Sequence, residues 1–318
     1  MGGVTTVLAV DVGGTKMAAG LVSPDGALRH ARRAPTPAVA DAEAVFAPLA
    51  ALVDEVLALA AAEGDPPAAC GVGSGGPMER GGATVSPLNI AGWRGFPLRA
   101  RLAERTGLPT FVDNDAKALA LGEGWIGAAA GERDFLAMVV STGVGGGIVL
   151  DGRLLEGAQG NAGHIGHVIV EPGGRVCGCG ARGCLEAEAS GTAIAAVTGR
   201  PAAEATPEVR ERTGRLVGRT VASVANLLDL RLAVVAGSVA LGFGDDFFGP
   251  AQDELDRCAR LAFSAGARIR PAGLGADGPL VGAAAVARAG LGHPILAAPA
   301  ISPPEASAGT VGAAPGDR

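Results

Sequence analysis

Four short stretches of this 318-residue chain bring together residue types that do chemistry. The run Cys177-Gly178-Cys179-Gly180-Ala181-Arg182-Gly183-Cys184 puts three thiols in one glycine-rich loop, with His167 ten residues upstream. Three Cys and one His make a closed tetrahedral zinc set, the kind used for structure, whereas a catalytic zinc keeps a position open for water. Asp11-Val12-Gly13-Gly14-Thr15-Lys16 is a glycine turn after an apolar run. Such a turn lets backbone N–H groups approach phosphate oxygens, Thr and Lys add a donor and a cation, and the Asp can hold Mg²⁺ or its water shell. The Gly-to-Lys spacing is too short for a Walker A loop. A second glycine turn with a threonine occupies Thr142-Gly143-Val144-Gly145-Gly146-Gly147. Finally, Phe111-Val112-Asp113-Asn114-Asp115-Ala116 ends an apolar run and opens a helical pattern. Asn114 or Asp115 there is either an ordinary helix N-cap or a carboxylate in a cleft, placed to accept a hydroxyl proton as that oxygen attacks phosphorus.

These residues need elements to position them. Residues 6–11 form a β-rich run, followed by the first glycine turn, a second run over 17–22 and a turn at Pro24-Asp25-Gly26. Residues 135–140 begin the same succession, with a glycine turn over 142–147, a run over 148–150 and a turn at Asp151-Gly152. The repeat, about 130 residues apart, reads as duplication of one α/β unit with both turns at a shared cleft; two unrelated hairpins are the alternative. Residues 42–62 predict an amphipathic helix, with Asp41 as N-cap, Val45, Leu49, Leu52, Val53 and Val56 at helical spacing, and Gly64-Asp65-Pro66-Pro67 as its stop. Pro48, Asp54 and Glu55 within it argue against a membrane span. Thr206-Pro207-Glu208 starts another helix, carrying Val217, Val221, Val224 and Leu228, and 232–236 is a buried-strand candidate ending at Gly237-Ser238. Beyond residue 287 the chain turns rich in Pro, Ala and Ser, and the tail over 292–318 is expected to be disordered.

Composition narrows the class further. Lys and Arg total 26 against 32 Asp and Glu, a net charge of −6, which argues against an electrostatic binder of nucleic acid or anionic membrane. Glycine reaches 52 residues without a collagen period, in a chain that is 48% hydrophobic, so a globular protein with many tight turns is expected. Met1-Gly2-Gly3-Val4 has no basic residue before Lys16, hence no secretory n-region, and the expected location is the cytoplasm. With five cysteines, three of them clustered, a reducing compartment favours metal over disulfides.

Taken in order, the motifs resemble the ROK group of repressors, open reading frames and kinases, which includes glucokinases and N-acylhexosamine kinases. The resemblance runs from Val7 to about Ala287. The first glycine turn looks like the family's ATP motif; Ser74-Gly75-Gly76-Pro77 and Pro87-Leu88-Asn89-Ile90-Ala91-Gly92-Trp93 look like its sugar-side loops. Asn114-Asp115-Ala116 resembles the catalytic segment, 141–147 the second phosphate loop, and Gly163-His164-Ile165-Gly166-His167 with 177–186 the sugar-and-zinc signature.

The resemblance implies an actin-like, ribonuclease-H-related α/β fold of two domains around a cleft. One domain would span 1–115, completed by a C-terminal helix near 280–291, and the larger would span 116–279 with the zinc loop. It also implies ATP, Mg²⁺ and structural Zn²⁺, a homodimer, and ATP-dependent phosphorylation of the 6-hydroxyl of a hexose or N-acylhexosamine, with glucose or N-acetylmannosamine foremost. Carried over by position, Asp115 would be the general base, and Gly76, Asn89, Asn114, Asp115, His164, His167 and Glu186 would face the sugar. Asp11, Gly13, Gly14, Thr15, Lys16, Thr142, Gly143 and Gly237 would face ATP and Mg²⁺, and His167, Cys177, Cys179 and Cys184 would hold zinc. One departure stands out: most family kinases have Glu where this chain has His164, which changes the donor and acceptor pattern at the sugar. The form over 162–167 is similar to that of bacterial N-acetylmannosamine kinases. The rivals are a sugar-responsive repressor, which would need an added N-terminal DNA-binding domain before a first strand that begins within ten residues of the start, and a non-catalytic sugar-binding protein.

Overall fold

The computed structural model describes residues 5–298. Two five-stranded mixed sheets repeat one topology. In the first, β1 (Val7–Val12) pairs antiparallel with β2 (Lys16–Val22), which pairs antiparallel with β3 (Leu28–Pro35). After α1 (Ala42–Glu63), β4 (Cys70–Ser74) lies parallel to β1. After α2 (Leu98–Thr106), β5 (Thr110–Asn114) lies parallel to β4, giving the order β3-β2-β1-β4-β5. The chain then enters α3 (Asp115–Ile126) and starts again. An antiparallel run of β6 (Phe135–Val140), β7 (Val144–Leu150) and β8 (Arg153–Leu154) is followed by the region that carries the cysteine cluster. Next come α4 (Leu185–Ala189), α5 (Gly191–Thr198) and α6 (Pro207–Leu228). β9 (Leu232–Ala236) adds parallel to β6, and past α7 (Ser238–Phe243) and α8 (Asp245–Cys258), β10 (Arg268–Pro271) adds parallel to β9. The second sheet therefore reads β8-β7-β6-β9-β10, the first order over again. The fold is the actin-like one, and the repeated strand, glycine turn, strand unit is the β1–β2 hairpin matched by β6–β7.

Local chemistry explains the main helices. Asp41 accepts the Glu43 N–H at the start of α1, and Gly64 ends it in the left-handed region. α1 is long and apolar enough to cross a membrane, yet its apolar side, Val45, Leu49, Val53 and Val56, is buried with β1 and β2 in the first domain's core. The last helix, α9 (Gly278–Gly290), packs Leu280, Ala283, Ala284 and Ala287 on the opposite face of that sheet. The C-terminal helix thus joins the N-terminal sheet. A second core gathers β6, β7 and β9 with α6, α7 and α8.

Two expectations need correction. Residues 144–147 were expected in a turn, but only 141–143 turn and Val144 begins β7. The glycines sit in the strand because α3 crosses it closely: a Cβ on Gly147 would lie 2.7 Å from the Ala120 Cβ and 2.8 Å from the Ala116 carbonyl oxygen. The expected disordered tail also starts too early. Ile295 is buried beside Leu121 and Val286, and Leu296 lies against Gly124 of α3, so apolar burial holds the segment over 292–298 to the core. The remainder of that expectation, 299–318, lies outside the described residues.

Candidate functional site

α3 begins beside Asp11 of β1 and against Gly145 of β7, and this decides what its first residues face. Asn114 ends β5 and its side chain accepts the Ala116 N–H at 3.0 Å, so the N-cap reading is correct for Asn114. Asp115 is the first residue of the helix, its outer face open to the cleft. The surrounding walls desolvate its carboxyl and raise it above the usual range, while the Ala116 N–H at 2.8 Å and His164 pull the other way. Asp11, near the end of β1 and buried, is pushed up to about 7, first by burial and then by the Asp115 carboxylate, against Lys16 and Arg33. Asp11, near the C-terminal end of the central strand β1, and Asp115, just past the C-terminal end of the parallel edge strand β5, therefore lie close enough to repel one another on the floor of the cleft.

His164 and the Asn114–Gly76 pair lie beside Asp115, and further expected sugar-side residues lie beside His164. A Cβ on Gly76 would lie 3.4 Å from Asn114 Nδ2 and 3.9 Å from His164 Cε1, and one on Gly14 would lie 2.5 Å from Asn89 Cβ. Gly76, Asn114 and His164 are thus neighbours, and the first glycine turn touches the Asn89 loop. His164 and His167 lie with ring centroids 6.0 Å apart. Burial holds His164 below the usual imidazole range and His167 adds to this, while Asp115 and Glu186 oppose it. Glu186 Oε2 accepts the Val144 N–H at 3.0 Å, at the exit of the second glycine turn, and lies 2.8 Å from where a Gly143 Cβ would be. One carboxylate oxygen of Glu186 is thereby anchored to the turn.

On the expected nucleotide side, Thr36 Oγ1 donates to the Gly13 carbonyl at 2.7 Å and Gly13 N–H closes onto the Lys16 carbonyl at 3.0 Å, which fixes the Gly13–Lys16 turn. Thr192 Oγ1 donates to the Thr142 carbonyl at 2.9 Å, joining the second turn to the start of α5. Gly237 sits at φ 102° with Val140 so close that a Cβ would lie 2.2 Å from its carbonyl oxygen, so only glycine fits. Ser238 beside it shares a 2.9 Å hydrogen bond with Ser141. Gly237 therefore borders the second turn. Asp11 and the turn donors are of the oxygen and N–H types that suit Mg²⁺ and phosphate.

The ligand atoms of His167, Cys177, Cys179 and Cys184 all lie within 4.8 Å of one another, and the cysteines are free thiols. Cys179 and Cys184 sulfurs are 3.7 Å apart and Cys177 Sγ is 3.6 Å from His167 Nδ1. Tetrahedral zinc with its usual bond lengths requires about 3.8 Å and about 3.6 Å for these pairs, so the donor set fits that ion. Nδ1 faces the thiols, and Nε2 is the nitrogen left for another partner. The loop is braced by buried Glu188, which accepts the Arg175 N–H at 2.7 Å and pairs with Arg212 of α6 at 2.8 Å.

Three positioning groups escaped the sequence. Arg94 donates to the carbonyls of Pro87, Ile90 and Trp93 at 2.9, 2.8 and 2.7 Å, wrapping the loop that carries Asn89. Nothing in its spacing signals this. Glu188 and Lys117 are buried charges; only Lys117, four residues after Asp113, has a spacing that hints at its partner.

Comparison with known proteins agrees with this architecture. The ROK family model matches residues 7–289. N-acetylmannosamine kinase of Escherichia fergusonii is 40% identical over 255 residues, covering 75% of this chain and 85% of that protein. The ROK hexokinase of Thermus thermophilus is 34% identical with a TM-score of 0.77, covering 91% of this chain and 99% of that one. A ROK family glucokinase of Streptomyces griseus, solved with glucose and AMPPNP, is 32% identical with a TM-score of 0.78, covering 90% and 100% of the two chains. With a family model spanning nearly the whole described chain and both halves of the cleft built alike, the chain belongs to the ROK family.

Proposed function

We propose that the protein transfers the γ-phosphoryl group of ATP to the 6-hydroxyl of an N-acylhexosamine, with N-acetylmannosamine the first candidate. The observation that carries this is Asp115: a raised carboxyl on the cleft floor, at the first residue of α3, beside Asp11 and His164. A carboxyl raised towards the working pH is a better proton acceptor for an attacking hydroxyl. The remaining sugar contacts are assigned to Gly76, Asn89, Asn114, His164, His167 and Glu186; the proximity of Gly76, Asn114, His167 and Glu186 to His164, and of Asn89 to the first glycine turn, supports the assignment. Phosphates are assigned to Gly13, Gly14, Thr15, Lys16, Thr142 and Gly143, with Gly237 on the nucleoside side. Mg²⁺, held by Asp11 directly or through water, would neutralise charge on the transferred group. Zinc would fix the His167 ring, leaving Nε2 for a sugar hydroxyl.

His164 and the 40% identity to an N-acetylmannosamine kinase favour the N-acyl sugar. Glucose is the second reading, favoured by the similarity to a glucokinase solved with that sugar. A coupled ADP-release assay over N-acetylmannosamine, N-acetylglucosamine, glucose, mannose, allose and fructose, compared by kcat/KM, separates them. Asp115→Asn is expected to lower kcat by about 10²–10⁴-fold while sugar still binds; wild-type turnover in that variant would overturn the base assignment.

A further inference from the structure

The two ends of the assigned sugar site belong to different halves of the molecule. Asp115 follows β5 of the first sheet, whereas His164 hangs from the loop that follows β8 of the second. One buried side chain joins them. Lys117, only 2% exposed and two residues past Asp115, places its ammonium 3.0 Å from Asp113 Oδ1 on β5 and 2.7 Å from Glu156 Oε2 beyond β8. It also donates to the Gly160 carbonyl at 3.3 Å. Three donors meet three acceptors, two of them charged, which fixes both segments relative to α3.

The tie continues towards His164. The Ala162 N–H donates to the Glu156 carbonyl at 3.0 Å, closing the 156–162 loop on itself just before Gly163 and His164. Asn161 Nδ2 donates to the Met78 carbonyl at 3.3 Å, next to the Gly76 turn. Beside the ion pairs lies a cavity of about 230 Å³, bounded by both halves and including Met78, Arg80 and Val112. That cavity leaves space for the loop to shift once the ion pair is cut.

We propose that Lys117 is a positioning residue that sets the His164 loop against Asp115, and so tunes sugar recognition without touching sugar. This rests on the assignment of His164 and Asp115 to the sugar site. Glu156 is 46% exposed on its side chain, so Glu156→Ala cuts the tie with little cost to folding. The experiment measures KM for N-acetylmannosamine or whichever panel sugar reacts best, KM for ATP, and melting temperature, in Glu156→Ala, Glu156→Gln, Lys117→Met, the Lys117→Met/Glu156→Ala double variant and His164→Ala. Glu156→Ala is expected to raise sugar KM about tenfold, because small misplacements of a binding group are costly, with ATP KM and melting temperature unchanged. Glu156→Gln, whose amide oxygen still accepts from Lys117, recovers most of the loss. The double variant should be no worse than the poorer single one, since both cut the same tie. If Lys117→Met does not fold, the Glu156 pair decides. A raised KM in His164→Ala with an unchanged one in Glu156→Ala overturns the proposal alone. An unchanged KM in His164→Ala overturns the sugar-site assignment and the proposal with it.

Discussion

Asp11 and Asp115 share one cleft floor, and two carboxylates so placed do not ionise independently. Asp11 is pushed up to about 7 by burial and by Asp115, from an ordinary value of 3.8. A folded-state value above the unfolded one means the folded protein holds this proton longer, so Asp11 lowers stability as pH rises from about 4 to about 7. Asp11→Asn removes that penalty. In denaturant titrations without nucleotide or metal, the variant is expected to exceed wild type above pH 7 by on the order of 4 kcal/mol and to converge with it towards pH 4, while kinase turnover falls. Equal stabilities across pH 5–8 would show that Asp11 is not desolvated. At this scale the motif was legible in six consecutive letters, but its protonation was not, because burial and the neighbouring Asp115 come from residues about a hundred positions apart.

Elements carry the constraints that single residues cannot. The cysteine loop is one: its glycines and three thiols pointed to a metal site in the sequence, and the sulfur and nitrogen separations are compatible with zinc. Since His167 belongs both to the thiol cluster and to the neighbourhood of His164, metal loss is expected to reach the sugar. Cys177→Ser should bind less than one zinc per chain by elemental analysis, melt lower, and show sugar KM raised about 10–100-fold with ATP KM little changed. A metal-free sample of full activity would refute the coupling. The strand β7 is the opposite case. Gly145-Gly146-Gly147 reads as a turn when only its neighbours in sequence are considered, and becomes a strand because α3 needs room to cross it.

The whole molecule is two copies of one sheet order facing each other, with α3 and α9 packed between them. Assigned sugar contacts come from both copies, so ligand binding is expected to draw the halves together and exclude water from the γ-phosphate. Small-angle scattering should record a radius of gyration smaller by on the order of 1 Å with sugar plus a non-hydrolysable ATP analogue, and no change with either loop assignment wrong enough to keep the ligands apart. The sequence by itself determined the strands that flank the glycine turns, the α1 caps and the clustering of the thiols in one loop, because each rests on local spacing and backbone preference. The tertiary structure alone decided that Asp11 meets Asp115, that Arg94 knots the Asn89 loop, that the 292–298 segment packs, and that Lys117 spans both halves. Those pairings join residues distant along the chain, and their strength depends on burial, which no local pattern encodes.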